Sequence, residues 1–229
     1  MSRMPAFQNP SQRKTNGESS CAFLSPPATN WPRFDPPLRL GVMASGRGSN
    51  LEALVHACRD GRVDGMVDLL VVNKADCGAQ TRAECLGVQT QVLDHRCYAT
   101  RQELDHALVS SFRDAEVEAI VMAGWMRIVT DVLINAFPRR LINLHPSLLP
   151  SFRGVDAIGQ ALEAGVKITG CSAHWVEPEV DSGPVIAQAA VPIFPGDDRN
   201  SLAERIRHEE HRLLPWAVAL AAQHWRAQG

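Results

Sequence analysis

The sequence predicts an α/β fold: an open, mostly parallel twisted sheet with helices on both faces. From Leu38 onward, short aliphatic runs alternate with segments of helical periodicity, which is the pattern of parallel strands joined by crossover helices. The chain has 229 residues and is 45% hydrophobic. This is enough apolar material to bury the core of one domain, or of two closely joined domains.

The first half of the pattern contains four short strands and the helices that connect them. Apolar residues recur at helical spacing after the first strand, and Pro138 closes the last connecting helix because proline cannot continue one. The strands are expected at 39–44, 68–72, 117–123 and 141–144, and the helices at 51–58, 81–86, 101–112 and 131–137.

The second half departs from the parallel pattern. A helix over 156–164 is followed by two long strands, 167–176 and 185–193, and the short link "EPEVDSGP" favours an antiparallel excursion from the sheet. A final helix is expected from Ser201 to about Trp225, with Ser201 as its cap. Pro215 is expected to kink or break this helix.

The amino-terminal part differs in composition from the rest. Residues 1–37 are rich in Pro, Ser, Asn and Arg and have no periodic pattern, which predicts a disordered extension. The folded domain is therefore expected to span 38–229.

Charge and cysteine content narrow the class of protein. A net charge of -2 and a pI near 6.4 give no basic field for nucleic acid or a membrane, so small molecules are the expected partners. The six cysteines are scattered, which suggests neither a metal site nor a disulfide framework. No run approaches the roughly 18 apolar residues of a spanning helix. We expect a cytoplasmic protein with reduced thiols.

The stretch "GVMASGRGSNLEAL" places Gly46 and Gly48 between the first strand and the first helix. Free backbone N–H groups and the helix dipole favour an anion at such a position. Leu51 stands where a dinucleotide fingerprint has its third glycine, and no Walker ending is present. The loop indicates either a mononucleotide or sugar phosphate site, or a tight turn with Ser49 or Asn50 as helix cap.

The stretch "LINLHPSLLPSFRG" places Asn143 and His145 on one side of a strand end. An amide can stabilise an oxyanion and an imidazole can carry a proton, so the pair suits a tetrahedral intermediate at a carbonyl. Asp181, in the "EVDSGPVI" turn, is the candidate that orients the imidazole. Taken singly, each motif also fits an ordinary turn. No GxSxG elbow occurs and Cys171 lies mid-strand, so a covalent intermediate is not expected.

The sequence resembles the folate-dependent phosphoribosylglycinamide formyltransferases. The resemblance covers about Leu38 to Ala221 and is carried by these motifs: "SGRGSNLEAL", "AGWMRI", "INLHPSLLPSFRG", "ALEAGVKITGCSAHWVEPEVDSGPVIAQAAVPI" and "EEHRLLPWAV". It implies a Rossmann-like formyltransferase fold. It also implies transfer of a formyl group from 10-formyltetrahydrofolate, as co-substrate, to the amine of glycinamide ribonucleotide in purine biosynthesis, without a metal. A monomer or a homodimer would fit.

The resemblance also assigns roles to individual residues. It implies that Asn143, His145 and Asp181 are catalytic. The remaining assignments are the ribonucleotide phosphate and glycinamide contacts Gly48, Ser49, Asn50, Arg101 and Glu210, and the folate contacts Met126, Arg127, Ile128, Val129 and Asn143. One departure is Ile158-Gly159, in a stretch where the family carries a His.

Two other activities remain open at this point. A formyltetrahydrofolate deformylase would use water as acceptor, and a non-catalytic folate or nucleotide-binding protein would keep the fold without turnover. Methionyl-tRNA formyltransferases are disfavoured, because they need a basic surface for tRNA and this chain is slightly acidic.

Overall fold

The computed structural model describes residues 23–227, which form one eight-stranded sheet flanked by helices. The strands are β1 (Phe23–Ser25), β2 (Leu38–Ala44), β3 (Gly65–Val72), β4 (Gln89–Val92), β5 (Ala119–Met122), β6 (Leu141–His145), β7 (Ile168–Trp175) and β8 (Val185–Pro192). The helices are α1 (Ser49–Arg59), α2 (Gly78–Cys85), α3 (Arg101–Asp114), α4 (Asp131–Ala136), α5 (Ala157–Glu163) and α6 (Arg199–Arg226), with a 3₁₀ turn at His95–Cys97.

The sheet combines a parallel half with an antiparallel half. Its strand order is β1-β8-β7-β6-β5-β2-β3-β4. Strands β4, β3, β2, β5 and β6 are parallel to one another, whereas β7, β8 and β1 are added in antiparallel fashion. The predicted fold class, including the antiparallel excursion, is therefore confirmed.

Two hydrophobic clusters cover the two faces of the sheet. Along β2, Leu40 and Val42 belong to the cluster beneath α1 and α6, while Met43 belongs to the cluster beneath α3 and α4. Successive side chains of a strand point to opposite faces. Both faces of the central strands β2 and β5 are therefore buried, which explains why their sequences are almost continuously apolar.

The helix α6 begins differently from the prediction. Its N-cap is Asp198 and not Ser201. The Asp198 carboxylate accepts a hydrogen bond of 2.8 Å from the Ser201 backbone N–H, and the Ser201 hydroxyl accepts one of 3.0 Å from the Asp198 N–H. This is a capping box in which serine takes the position that normally holds Glu or Gln.

The predicted break at Pro215 is also wrong. Helix α6 is 28 residues long, and it runs without interruption through Pro215. Leu213, Leu214 and Trp216 around the proline are buried against the sheet. This packing offsets the one backbone hydrogen bond that proline removes.

The segment before β2 is ordered over the part that the structure describes, contrary to the disorder predicted for 1–37. Strand β1 pairs with β8. Trp31 packs edge-to-face on Trp216, with ring centroids 5.0 Å apart, and the Trp216 indole donates a 2.9 Å hydrogen bond to the Pro26 carbonyl. The aromatic contact and strand pairing supply the burial that the composition did not suggest. The remainder of the predicted extension, 1–22, lies outside the described residues.

Within residues 23–227, no helix is both long and apolar enough to cross a membrane.

Candidate active site

The candidate site lies where three neighbouring strands end. The glycine loop follows β2, the "MRIV" segment follows β5, and Asn143 and His145 lie at the end of β6. The Ser45 hydroxyl accepts a 3.0 Å hydrogen bond from the Met126 N–H, which ties the first two loops together. Ligands of open α/β sheets bind at the carboxyl ends of strands, so the predicted motifs meet where a ligand is expected.

His145 is held between two acceptors. Its side chain is almost entirely buried, and its Nδ1 lies 3.2 Å from Asp181 Oδ2. Its Nε2 lies 2.8 Å from the Phe152 carbonyl oxygen. A carboxylate and a carbonyl only accept hydrogen bonds. A protonated imidazole can therefore donate to both, whereas a neutral ring satisfies only one.

Asp181 joins the loop between β7 and β8 to the end of β6. Its backbone is in the left-handed region, with φ of 50°, which turns the carboxylate toward the sheet. Oδ2 accepts a 2.9 Å hydrogen bond from the Gly154 N–H, and Oδ1 lies 3.2 Å from Asn143 Nδ2. Burial alone would raise the pKa of this carboxyl, but hydrogen bonds from His174 and Gly154 and the charge of His145 outweigh it and lower the pKa. Asp181 is thus kept ionised.

His174 is part of this cluster, although the sequence analysis did not single it out. It lies opposite Asn143 in the β6–β7 pairing. Its Nδ1 donates a 2.8 Å hydrogen bond to the Trp175 carbonyl, and its Nε2 lies 3.1 Å from Asn143 Nδ2 and 3.5 Å from Asp181 Oδ1. A lone histidine in the otherwise apolar strand "ITGCSAHW" is the signal that could have identified it.

The amide of Asn143 is oriented by these neighbours. Its Nδ2 lies 3.1 Å from His174 Nε2 and 3.2 Å from Asp181 Oδ1. Among residues 23–227, no hydrogen-bond donor reaches its side-chain oxygen. In this arrangement Oδ1 is the atom that faces a ligand, and donation from Nδ2 to a ligand requires one of the two protein contacts to be given up.

The glycine loop leaves the first turn of α1 open. The N-cap is Gly48, with φ of 78°, and no side chain caps the helix. A Cβ on Gly48 would lie 2.5 Å from the Ala79 Cα, so glycine is required both by its conformation and by this close approach. Neither Ser49 nor Asn50 acts as the cap, which was the alternative interpretation. The free N–H groups form the kind of site that binds an anion.

Asn50 and Glu210, two of the predicted ribonucleotide contacts, connect helix α1 to helix α6. Asn50 Nδ2 donates a 3.0 Å hydrogen bond to Glu210 Oε2. Burial raises the pKa of the Glu210 carboxyl, and this hydrogen bond opposes the rise only in part. A half-buried acid beside an uncapped helix end can receive the amino end of a ligand whose phosphate lies on the loop.

Arg101 is not tied to the glycine loop. It is exposed in the first turn of α3, and among the described residues it makes no hydrogen bond or ion pair that joins it to the glycine loop. Its role as a phosphate contact stays a prediction.

The "MRIV" segment divides into exposed and buried members. Met126 and Ile128 are 77% and 53% exposed, and Arg127 is exposed as well. Val129 is only 7% exposed and packs in the core. Large apolar side chains at the mouth of a strand-end cleft suit a flat, partly apolar ligand. Of the predicted folate contacts, Val129 contributes to packing.

The position of the Ile158-Gly159 departure is filled by another residue. A Cβ on Gly159 would lie 2.5 Å from the guanidinium carbon of Arg199. Arg199 pairs with Asp156, the N-cap of α5. A cation from α6 therefore lies beside Gly159, and not one from the stretch that carries the family His.

Other chemistries find less support in the described residues. Burial raises the pKa of the Cys171 thiol well above its usual range, which makes it a poor nucleophile. Within 23–227, no group of three or more His, Cys, Asp or Glu side chains has an arrangement that could hold a metal ion.

Comparison with known proteins decides the family. The profile described as formyl transferase matches residues 38–218. The chain belongs to the formyl transferase family. The phosphoribosylglycinamide formyltransferase of Bacillus subtilis is 38% identical over 180 residues, which are 79% of this chain and 92% of that protein.

Other family members agree in sequence and fold. The structure of glycinamide ribonucleotide transformylase 1 from Symbiobacterium toebii is 43% identical, with a TM-score of 0.81, and the match covers 82% of this chain and 89% of that one. The human trifunctional purine biosynthetic protein adenosine-3 is 39% identical over 184 residues. This chain spans 18% of the length of that trifunctional relative.

Proposed function

We propose that this protein is a phosphoribosylglycinamide formyltransferase. It transfers the formyl group of 10-formyltetrahydrofolate to the amine of glycinamide ribonucleotide. The observation that carries this proposal is the cluster of Asn143, His145 and Asp181 at the end of β6, beside the uncapped first turn of α1. The names of the relatives support the same reaction.

The ribonucleotide is bound at two points. Its phosphate lies on the N–H groups of the loop at Gly48, Ser49 and Asn50, where the helix dipole also favours negative charge. Its glycinamide amine is held by Glu210, and Arg101 is a further phosphate contact. The folate ring packs on Met126 and Ile128, with Arg127 at the same exposed edge.

His145 stabilises the charge that develops on the formyl oxygen. When the amine attacks the formyl carbon, the carbonyl oxygen becomes an oxyanion. The protonated ring keeps its Nδ1 donor on Asp181. Its Nε2 donor moves from the Phe152 carbonyl to the oxyanion, which is the stronger acceptor because it is charged.

Asn143 and Asp181 complete the site. The amide oxygen of Asn143 is available to accept from the attacking amine, and Nδ2 donates to the oxyanion if it leaves Asp181. The ionised Asp181 accepts the hydrogen bond from His145 Nδ1 and takes up the proton that the amine loses, either through His145 or through water. The tetrahedral intermediate then collapses: the bond between the formyl carbon and N10 of the folate breaks, and N10 takes up that proton as tetrahydrofolate leaves. Direct transfer in this way needs no covalent enzyme intermediate.

The test is the consumption of 10-formyltetrahydrofolate by the purified protein, followed by the absorbance of the folate product. Consumption that requires glycinamide ribonucleotide is the expected result. Equal consumption without the ribonucleotide would establish a deformylase instead, and no consumption under either condition would leave a binding protein. We further propose that the enzyme is cytoplasmic and acts as a monomer or homodimer.

A further inference from the structure

A second cavity lies at the opposite end of the sheet from the candidate active site. Its volume is about 570 Å³, which is within the range of about 300–1,000 Å³ typical of small-molecule sites. It is lined by residues that precede β5 and β6, among them Glu118, Arg139 and Arg140. Its lining does not include Asn143, His145, His174 or Asp181. Trp175 follows His174 in β7, and successive side chains of a strand point to opposite faces of the sheet. The cavity is therefore distinct from the site described above.

One wall of the cavity is aromatic and contains an unused hydrogen-bond donor. Trp175 and Trp225 line it with their rings edge-to-face, their centroids 6.2 Å apart. Trp225 is 6% exposed, and its indole N–H has no acceptor among the described residues. A buried donor without a partner loses about 1–3 kcal/mol. This nitrogen is closed off from solvent in the structure, so an acceptor atom on a planar ligand reaches it when the Trp225 ring turns toward the cavity.

The lining of the cavity also carries positive charge. Arg139 and Arg140 both line the cavity, and within 23–227 neither forms an ion pair with a carboxylate. The one acidic lining residue, Glu118, is already paired with Arg226 at 3.0 Å. His224 lines the cavity as well. Two unpaired guanidinium groups favour a phosphate, which they can bind through several N–H donors.

We propose that this cavity binds a nucleoside monophosphate. Its base packs against Trp175 and Trp225 and accepts a hydrogen bond from the Trp225 indole, while its phosphate binds Arg139 and Arg140. A cavity of this size that is lined by two indole rings and two arginines matches a ligand that combines a flat ring with an anion.

Calorimetric titration of the full chain with adenosine 5′-monophosphate tests the proposal. We expect saturable binding that is at least tenfold tighter than the binding of adenosine or of inorganic phosphate alone. The double variant Arg139→Ala/Arg140→Ala should weaken binding at least tenfold. Trp225→Phe, which keeps an aromatic ring but removes the N–H, should weaken it about fivefold. Arg113→Ala, an exposed arginine of α3 outside both sites, should leave it unchanged.

The active site could itself bind the probe through the glycine loop, and Asn50→Ala separates the two cases. If Asn50→Ala abolishes binding and the double arginine variant does not, the nucleotide occupies the active site and the proposal is wrong. Absence of binding to the unmodified chain would also overturn it, as would equal affinity for inorganic phosphate. The three substituted arginines are exposed or partly exposed and Trp225 is buried. Circular dichroism checks that every variant folds.

Discussion

Asp181 Oδ2 lies 3.2 Å from His145 Nδ1, and both side chains are more than 90% buried. Because the carboxylate also receives the Gly154 N–H, its position is fixed by the backbone of a neighbouring loop. Removal of one partner from such a buried pair leaves the other without compensation for its desolvation. The pair therefore provides the first test of the proposed mechanism.

Asp181→Asn should lower the turnover number about 100- to 1,000-fold, because the neutral amide is a weaker acceptor for His145 Nδ1 and cannot take up the proton that the amine loses. The variant keeps the size of the side chain, so the fold should be retained. Glu179→Gln is the matched control. Glu179 lies in the same loop with an exposed carboxylate, 3.6 Å from Arg153, and its replacement should change turnover less than twofold. Equal effects of the two variants would remove Asp181 from the mechanism.

His145→Ala should lower turnover about 1,000-fold or more, with only a modest change in folate affinity. Turnover is measured with saturating substrates, and folate affinity by fluorescence titration. His106→Ala on the exposed face of α3 serves as control and should retain full activity. Turnover of His145→Ala within tenfold of the unmodified enzyme would mean that another group stabilises the oxyanion.

Strands β6, which ends at His145, and β7, which precedes the loop of Asp181, were predictable because their apolar runs are buried on both faces. Strand β4 was not. Its sequence "QTQV" is mostly exposed at the sheet edge, so it lacks the apolar pattern that identifies a strand. Likewise, nothing local in residues 23–37 indicates that Trp31 meets Trp216, since the two are brought together only by the tertiary fold.

The residues of the candidate site were likewise predictable only in part. Asn143 and His145 could be found because they share one strand and one face. Asp181 could be proposed from its turn, but its contact with His145 depends on how the loop after β7 folds back. His174 was missed because its place opposite Asn143 depends on the β6–β7 register, which involves residues distant in sequence and is not encoded by either strand alone.

Glu210→Gln should stabilise the fold and impair substrate binding. Burial raises the pKa of Glu210, so the folded state holds this proton more tightly than the unfolded state does. Stability is then highest below the unfolded-state pKa and decreases as pH rises through the folded-state pKa. At pH 7.5 the ionised carboxylate lowers the free energy of unfolding, and the neutral glutamine, which can still accept from Asn50, removes that effect.

Urea unfolding of both proteins at pH 5 and pH 7.5 measures this dependence, and the gain in the variant should be larger at pH 7.5. The KM for glycinamide ribonucleotide should rise about tenfold or more, because a charge-assisted contact to the amine is lost. A variant that is less stable at pH 7.5 would contradict the argument from burial.

Removal of residues 1–36 should lower thermal stability without abolishing turnover at 25 °C. The deletion takes away the Pro26 carbonyl that accepts from the buried Trp216 indole, and it exposes the face on which Trp31 packs. Exposure of the apolar surface that Trp31 and Trp216 bury against each other costs about 1.5–3 kcal/mol, which corresponds to a decrease in Tm of about 5 °C for a chain of this length.

Point variants separate the contact from the deletion itself. Trp31→Ala in the full chain should reproduce part of the decrease in Tm. Phe23→Ala, which changes a side chain that is 68% exposed in the same segment, should have little effect. An unchanged Tm in both the deletion and Trp31→Ala would mean that the segment contributes nothing to stability.

Two glycines of the same loop provide a matched test of the proposed phosphate site. Gly48→Ala places a Cβ 2.5 Å from the Ala79 Cα at a φ of 78°, so it should lower the free energy of unfolding by about 2 kcal/mol. Relief of this clash also displaces the N–H groups that follow, and the KM for the ribonucleotide should rise. At Gly46 an added Cβ meets nothing within 4 Å and φ is not positive, so Gly46→Ala should change stability by less than about 0.5 kcal/mol. Urea unfolding compares the two variants, and equal destabilisation would show that the left-handed turn at Gly48 is not what shapes the loop.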